Sequence, residues 1–166
     1  IVAICPGGKE KEKHWPPERY GEVARYLRDR FNAKFIIFGG SDDLHDAEMI
    51  KNSVSDSDVI ISINQFDLAE NLILLKFCDF LLTNDTGLMH FAAALKKPVV
   101  VLFNIRNIFG KWFPYGEGHE CLYKRFLDCD YKKPECIKKS IEAITVEKVK
   151  AACDRVIARL NLKNNE

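Results

Sequence analysis

The stretch Thr83-Asn84-Asp85-Thr86-Gly87 lies between an apolar run, Phe80 to Leu82, and a helical stripe of Leu88, Phe91, Ala92 and Leu95. Hydroxyl, amide, carboxylate and glycine at the hinge between a buried strand and a buried helix are residue types that can hold an anion. Amide N–H groups at a helix start, reinforced by the macrodipole, bind phosphate well. Asp85 or Thr86 can cap the helix, and Gly87 removes a side chain from its first turn. His90 lies one turn in and can point back to the same mouth. An N-cap followed by a half-buried histidine would use the same residues, so two readings stand open here.

Two further polar loops have the composition of a site. Pro6 to Trp15 contains Gly7 and Gly8, which let a ligand approach the backbone closely. It also carries Lys9, Lys11 and Lys13 with Glu10 and Glu12 between them. That alternation by itself favours a solvated, mixed-charge surface loop. Gly39 to Asp43 ends in two carboxylates that can cap a helix or accept bonds from a ribose diol. There is no G-x-G-x-x-G and no Walker A signature, so the common nucleotide fingerprints are absent.

The elements that must position these loops follow from periodicity. "IVAIC", "KFIIF", "DVIISI", "FCDFLL" and "PVVVLF" read as strands, and "ECLYK" as a short sixth. Pro16 and Pro17 suit a helix start, with Tyr20, Val23, Ala24, Leu27 and Phe31 on its apolar face. Ser41-Asp42-Asp43 leads into a helix carrying Leu44, Ala47 and Ile50. Asp67 and Glu70 resemble a capping box for a helix carrying Leu68, Leu72 and Leu75. Thr145 begins a last helix with Val146, Val149, Cys153, Val156 and Leu160 on one face, and the tail Asn161–Glu166 is expected to fray. Apolar strands alternating with helices predict an α/β fold, a doubly wound, Rossmann-like parallel sheet covered on both faces. Its ligand would sit beyond the carboxyl ends of the strands, where all three polar loops emerge. Residues 104–118 form one long irregular segment, a length that is often functional.

The chain has 166 residues, enough for one domain with a sizeable core. With 25 Lys plus Arg against 24 Asp plus Glu, the net charge of +1 argues against a general nucleic-acid binder. No apolar run approaches the length needed to span a bilayer. The six cysteines read as free thiols in a reducing compartment. A zinc set of Cys121, Cys129, Cys136 and His119 is conceivable, but the C-x7-C and C-x6-C spacings do not match a short knuckle. Because Ile1 opens directly in a strand, the chain is expected to be a piece of a larger protein.

Laid out in this order, the residues resemble the C-terminal, donor-binding half of glycosyltransferase family 9, the ADP-heptose:lipopolysaccharide heptosyltransferases. The resemblance runs from about Ile4 to Val149. It rests on "PGG…KHWPPERYGEVARYL", "IIFGGSDDLHDAEMI", "LLTNDTGLMHFAAALKKPVVVLF" and "FPYG", followed by cysteines before a terminal helix. It implies a GT-B architecture of two Rossmann-like domains, with residues 1–166 as a single nucleotide-sugar (donor) binding domain and the N-terminal acceptor domain absent from this chain.

The implied reaction is inverting transfer of heptose from ADP-heptose to a lipopolysaccharide core acceptor. Lys13 then stabilises the leaving phosphate, Asp43 lies near the acidic position for the adenosine ribose, and Asp85, Thr86, Gly87, Leu88, Met89 and His90 wrap the diphosphate and sugar. The general base belongs to the missing half, so the isolated domain is expected to bind donor and turn over poorly or not at all. No cofactor, metal or nucleic acid is implied. A cytoplasmic location is, peripheral at the inner face of the inner membrane at most. After Phe103 the family continues with Gly and a small hydroxyl residue, whereas this chain has Asn104-Ile105-Arg106-Asn107, a departure that bears on the sugar. A non-catalytic nucleotide-sugar binding module and a GT-B transferase using another nucleotide sugar are the alternatives.

Overall fold

The computed structural model describes residues 1–104, 106, 110–130 and 132–163. Six strands form one sheet: β1 (Val2–Cys5), β2 (Phe35–Ile37), β3 (Val59–Ile61), β4 (Phe80–Asn84), β5 (Val99–Phe103) and β6 (Glu120–Tyr123). Their order is β3-β2-β1-β4-β5-β6 and every pairing is parallel. The direction of winding therefore reverses between β1 and β4, the crevice where open α/β sheets take their ligands. Register pairs Cys5 with Thr83, so the loops after these two strands start side by side.

Side chains alternate across each strand and build two cores. Val2, Ile4, Phe35, Ile37, Phe80, Leu82, Val100 and Leu102 pack on α1 (Pro17–Phe31), α2 (Leu44–Lys51) and, beyond α5 (Pro134–Glu142), α6 (Val146–Lys163). Ala3, Cys5, Ile36, Leu81, Val99, Val101 and Phe103 face the other way, onto α3 (Leu68–Phe77) and α4 (Gly87–Ala94). The doubly wound expectation holds in strand order, direction and two-sided burial.

Local signals behave as their chemistry dictates. Pro17 occupies the first turn of α1, where its missing N–H costs nothing. Asp67 and Glu70 exchange bonds of 2.9 and 2.8 Å at the start of α3. Thr145 Oγ1 accepts from Lys148 N at 3.4 Å at the start of α6. Several expectations need correction. Phe31 is exposed at the end of α1, edge-on to Tyr26. Cys78 follows α3 rather than starting β4. Leu68, placed on the buried face of α3, is 64% exposed. Helix α5 is an addition, although Pro134 at its first turn and the buried Ile137 and Ile141, one turn apart, are its signals. The tail is helical as far as Lys163, and 164–166 lie outside the described residues, as do Ile105 and Asn107 of the departing loop.

The free edge of the sheet is clamped electrostatically. Glu120 on β6 accepts from Arg155 Nε and Nη2 at 3.0 and 2.7 Å and from Arg159 Nη2 at 2.7 Å. Burial pushes this carboxyl up, but the two guanidiniums outweigh it and hold it below the usual carboxylate range. A group whose folded-state pKa is depressed contributes stability above its unfolded value, roughly pH 4.3, and loses it as pH falls through the folded value. Glu120→Gln is therefore expected to cost about 1–2 kcal/mol at pH 7, reduced from a fully buried pair because both arginines are partly solvated. Urea unfolding at pH 7 and pH 3 checks this: the deficit should shrink at acid pH, and an equal deficit at both would contradict it.

Candidate functional site

The loops after β1, β2 and β4 meet above the switch point. Cys5, Gly8, Phe38, Gly39, Gly40, Asp43, Leu68, Asn71, Thr86 and Leu88 line a cavity of about 240 Å³. A second, of about 60 Å³, is lined by Gly7, Gly8, Lys9, Glu10, Lys13, His14, Asn84 and Asp85. Gly8 belongs to both, which makes them neighbours along one crevice. A larger groove of about 720 Å³ lies at the opposite end of the sheet, beside Val2, Lys34 and Phe80, away from every glycine loop.

The close approach of the loops explains their glycines. A Cβ on Gly7 would stand 2.0 Å from Asp43 Cγ and Oδ2, so the first loop touches the second through an absent side chain. A Cβ on Gly8 would meet the Thr86 methyl and His14 Nε2 at 3.5 Å. His14 Nε2 also lies 2.9 Å from Gly8 O, fixing the turn. Asp43 is 8% exposed, and its Oδ2 accepts from Gly40 N at 2.8 Å. It closes a short 3-10 turn, Ser41–Asp43, and presents its carboxylate to the larger cavity.

Lys13 ends another 3-10 turn, Lys11–Lys13, and shares the small cavity with Asp85. Its Nζ donates to Glu10 Oε1 at 2.5 Å. Asn84 is the clip that holds these parts. Its Oδ1 accepts from Trp15 N at 3.2 Å and Tyr20 OH at 3.0 Å, and its Nδ2 donates to Pro6 O. One buried amide thus ties the end of β4 to the loop after β1 and to α1.

At the hinge, Thr86 takes the N-cap position of α4, but its side chain makes no cap bond. Its hydroxyl lies 3.1 Å from Thr83 Oγ1 instead. Met89 N donates to Thr86 O at 3.2 Å, and the amides of Gly87 and Leu88 stand ahead of it in the first turn of α4, the position where a helix directs N–H groups at an anion. Gly87 is exposed, with open space where a Cβ would be. The stripe on α4 is rotated by about one residue from the sequence expectation. Met89, Ala92 and Ala93 are buried, while Phe91 is 42% exposed and Leu88 lines the cavity. Met89 is 0% exposed in the core, so its side chain does not face a ligand. His90 is exposed and lies edge-on to Trp112, with ring centroids 6.5 Å apart.

The cavity residues missed by sequence reading are Cys5, Phe38, Leu68 and Asn71, which entered only as strand or helix positions. Burial pushes the Cys5 thiol up to about 11, so it faces the crevice as a neutral apolar group. The conceivable metal set is not assembled: His119 Nδ1 accepts from Val99 N at 3.2 Å and its Nε2 lies 3.1 Å from Tyr115 O. Among the described residues no three His, Cys, Asp or Glu side chains come together as ligands. No helix among them is long and apolar enough to cross a membrane.

A family model described as glycosyltransferase family 9 (heptosyltransferase) matches residues 1–162. Over 107 residues the chain is 32% identical to lipopolysaccharide heptosyltransferase 2 of Escherichia coli K12, covering 62% of this chain and 30% of that protein. The crystal structure of a family 9 glycosyl transferase from Veillonella parvula matches with a TM-score of 0.80 at 27% identity, covering 96% of this chain and 46% of that one. E. coli heptosyltransferase WaaC with ADP matches with a TM-score of 0.76 at 18% identity, covering 94% and 44%. The matched stretch spans 30% of the length of that heptosyltransferase 2, and the chain covers under half of each of these two solved chains.

Proposed function

The chain belongs to glycosyltransferase family 9, and from that premise we propose that residues 1–166 are the donor-binding domain of a two-domain GT-B enzyme. The whole protein would transfer heptose from ADP-heptose to a lipopolysaccharide core acceptor with inversion. The observation that carries this reading is the meeting of three glycine-bearing loops at the switch point, with Lys13 and Asp85 around one small cavity. A solved relative in complex with ADP adds support for the nucleotide.

In this reading the base and ribose occupy the larger cavity, between Leu68 and Leu88 on one side and Asp43 on the other. The diphosphate lies over the start of α4, facing Lys13. As the bond from sugar to diphosphate breaks, negative charge grows on the departing phosphate and positive charge on the sugar ring. Lys13 and the amides of Gly87 and Leu88 meet the negative charge, and each such donor contributes about 3 kcal/mol to the transition state. His90, on the rim beside Trp112, orients the sugar or diphosphate rather than acting as base. The base comes from the acceptor domain.

Titration calorimetry of the chain with ADP, UDP, GDP and adenosine tests the assignment. ADP should bind best, and Lys13→Ala should weaken it about tenfold or more without changing adenosine. A variant that binds ADP as tightly as the parent would remove the phosphate role of Lys13. A second reading, the same transfer from a different nucleotide sugar, is favoured by Asn104-Ile105-Arg106-Asn107 where the family continues with Gly and a small hydroxyl residue. Preference for UDP over ADP would select it.

A further inference from the structure

Among the described residues after β5, Arg106 reaches the loop that follows β1. Arg106 Nη1 donates to Glu10 Oε2, while Lys13 Nζ takes the other oxygen of the same carboxylate at 2.5 Å. One anion therefore bridges two cations brought from loops almost a hundred positions apart. The Arg106 main chain is fixed independently: its N–H donates to Oδ1 of the buried Asn104 at 3.2 Å. Glu10 itself lines the small cavity with Asp85 and Asn84. The hydrogen bond from Lys13, helped by the charges of Lys13 and Arg106, holds its carboxyl below the usual carboxylate range, so it is ionised at neutral pH.

A carboxylate held between Lys and Arg occupies the place and charge of a phosphate group, whose oxygens the same two donors would bind. Glu10 and a diphosphate compete for the pair, because two anions on the same cations repel each other across a few ångströms. We infer that Arg106 and Lys13 form a two-cation clamp for the donor diphosphate, and that Glu10 is an internal counter-ion which keeps both cations in place until the diphosphate displaces it. The inference rests on the nucleotide-sugar reading and adds two residues to it. Arg106 stands in the loop that departs from the family pattern, and Glu10 sets the affinity by competing with the ligand.

The test is calorimetry on the chain with ADP, inorganic pyrophosphate and adenosine. Arg106→Ala should weaken ADP and pyrophosphate about tenfold and leave adenosine unchanged. Glu10→Gln, which removes the competing charge and keeps the shape, should tighten both about threefold or more. Lys34→Ala, which removes one positive charge at the opposite end of the sheet, should stay within twofold of the parent. An Arg106→Ala variant within twofold of the parent would overturn the clamp, and a Glu10→Gln variant no tighter than the parent would overturn the counter-ion role. Pyrophosphate binding that depends on Arg106 without any ADP binding would refute the nucleotide and keep the clamp. A parent that binds neither ligand ends both proposals.

Discussion

Replacing Asn84 by Leu is expected to destabilise the chain by about 3–5 kcal/mol, the largest effect of any single change at the site. The side chain is 2% exposed and every polar atom on it is used. Two donors, Trp15 N and Tyr20 OH, converge on Oδ1, and Pro6 O requires a donor, so the network itself sets which way the amide faces. Leucine would leave all three partners buried and unpaired. In a domain of this size the loss should lower Tm by about 10 °C or more.

Asn84→Asp separates the hydrogen bonds from the shape. It keeps the acceptor for Trp15 and Tyr20 but turns a carboxyl oxygen toward Pro6 O. That contact favours the protonated acid, so the folded-state pKa rises above the unfolded value. Stability conferred by a raised carboxyl pKa is present at low pH and is lost as pH rises, so the deficit of the Asp variant should be smaller at pH 4 than at pH 8. Thermal melts at the two values decide it. An Asn84→Leu protein that melts with the parent would show that the clip holds nothing.

How much of this was legible in the residues depends on the range of the interaction. The strands were readable because β1 and β5 are apolar throughout and β4 opens on Phe80-Leu81-Leu82, a pattern set by neighbours along the chain. The capping box at Asp67 and Glu70 is likewise local, and it formed as written. The phase of α4 was not readable. Gly87-Leu-Met-His-Phe-Ala-Ala-Ala is apolar nearly all round, so periodicity cannot say whether Leu88 or Met89 faces inward; contact with Leu75 and Leu81 in the second core decides it.

Asn84 looked like part of a cradle because its neighbours are polar. Its structural role depends on Trp15, Tyr20 and Pro6, none of which is near it in sequence. The bridge from Glu10 to Arg106 is of the same kind, and no local pattern announces it. Helix α5 is not announced by its residues because only Ile137 and Ile141 mark its stripe, amid lysines and a cysteine.

Gly7→Ala is expected to damage binding more than its size suggests. The added methyl would overlap the Asp43 carboxylate at 2.0–2.2 Å, far inside any real contact. Asp43 cannot step aside freely, since Gly40 N holds its Oδ2 at 2.8 Å and the residue is buried. Either the carboxylate leaves the cavity or the first loop lifts off the second. The stability cost should be about 1–3 kcal/mol, the usual range for overpacking, and ADP affinity should fall more than tenfold because both loops line the crevice.

Asp43→Ala removes the obstructing atoms. In the Gly7→Ala background it should restore part of the lost stability, a coupling that independent sites would not show. It should not restore the nucleotide. If Asp43 accepts from the ribose diol, Asp43→Ala alone weakens ADP and adenosine alike and leaves pyrophosphate unchanged. If its carboxylate only closes the turn at Gly40, the single variant loses stability while adenosine binds as before, and the ribose assignment goes with it.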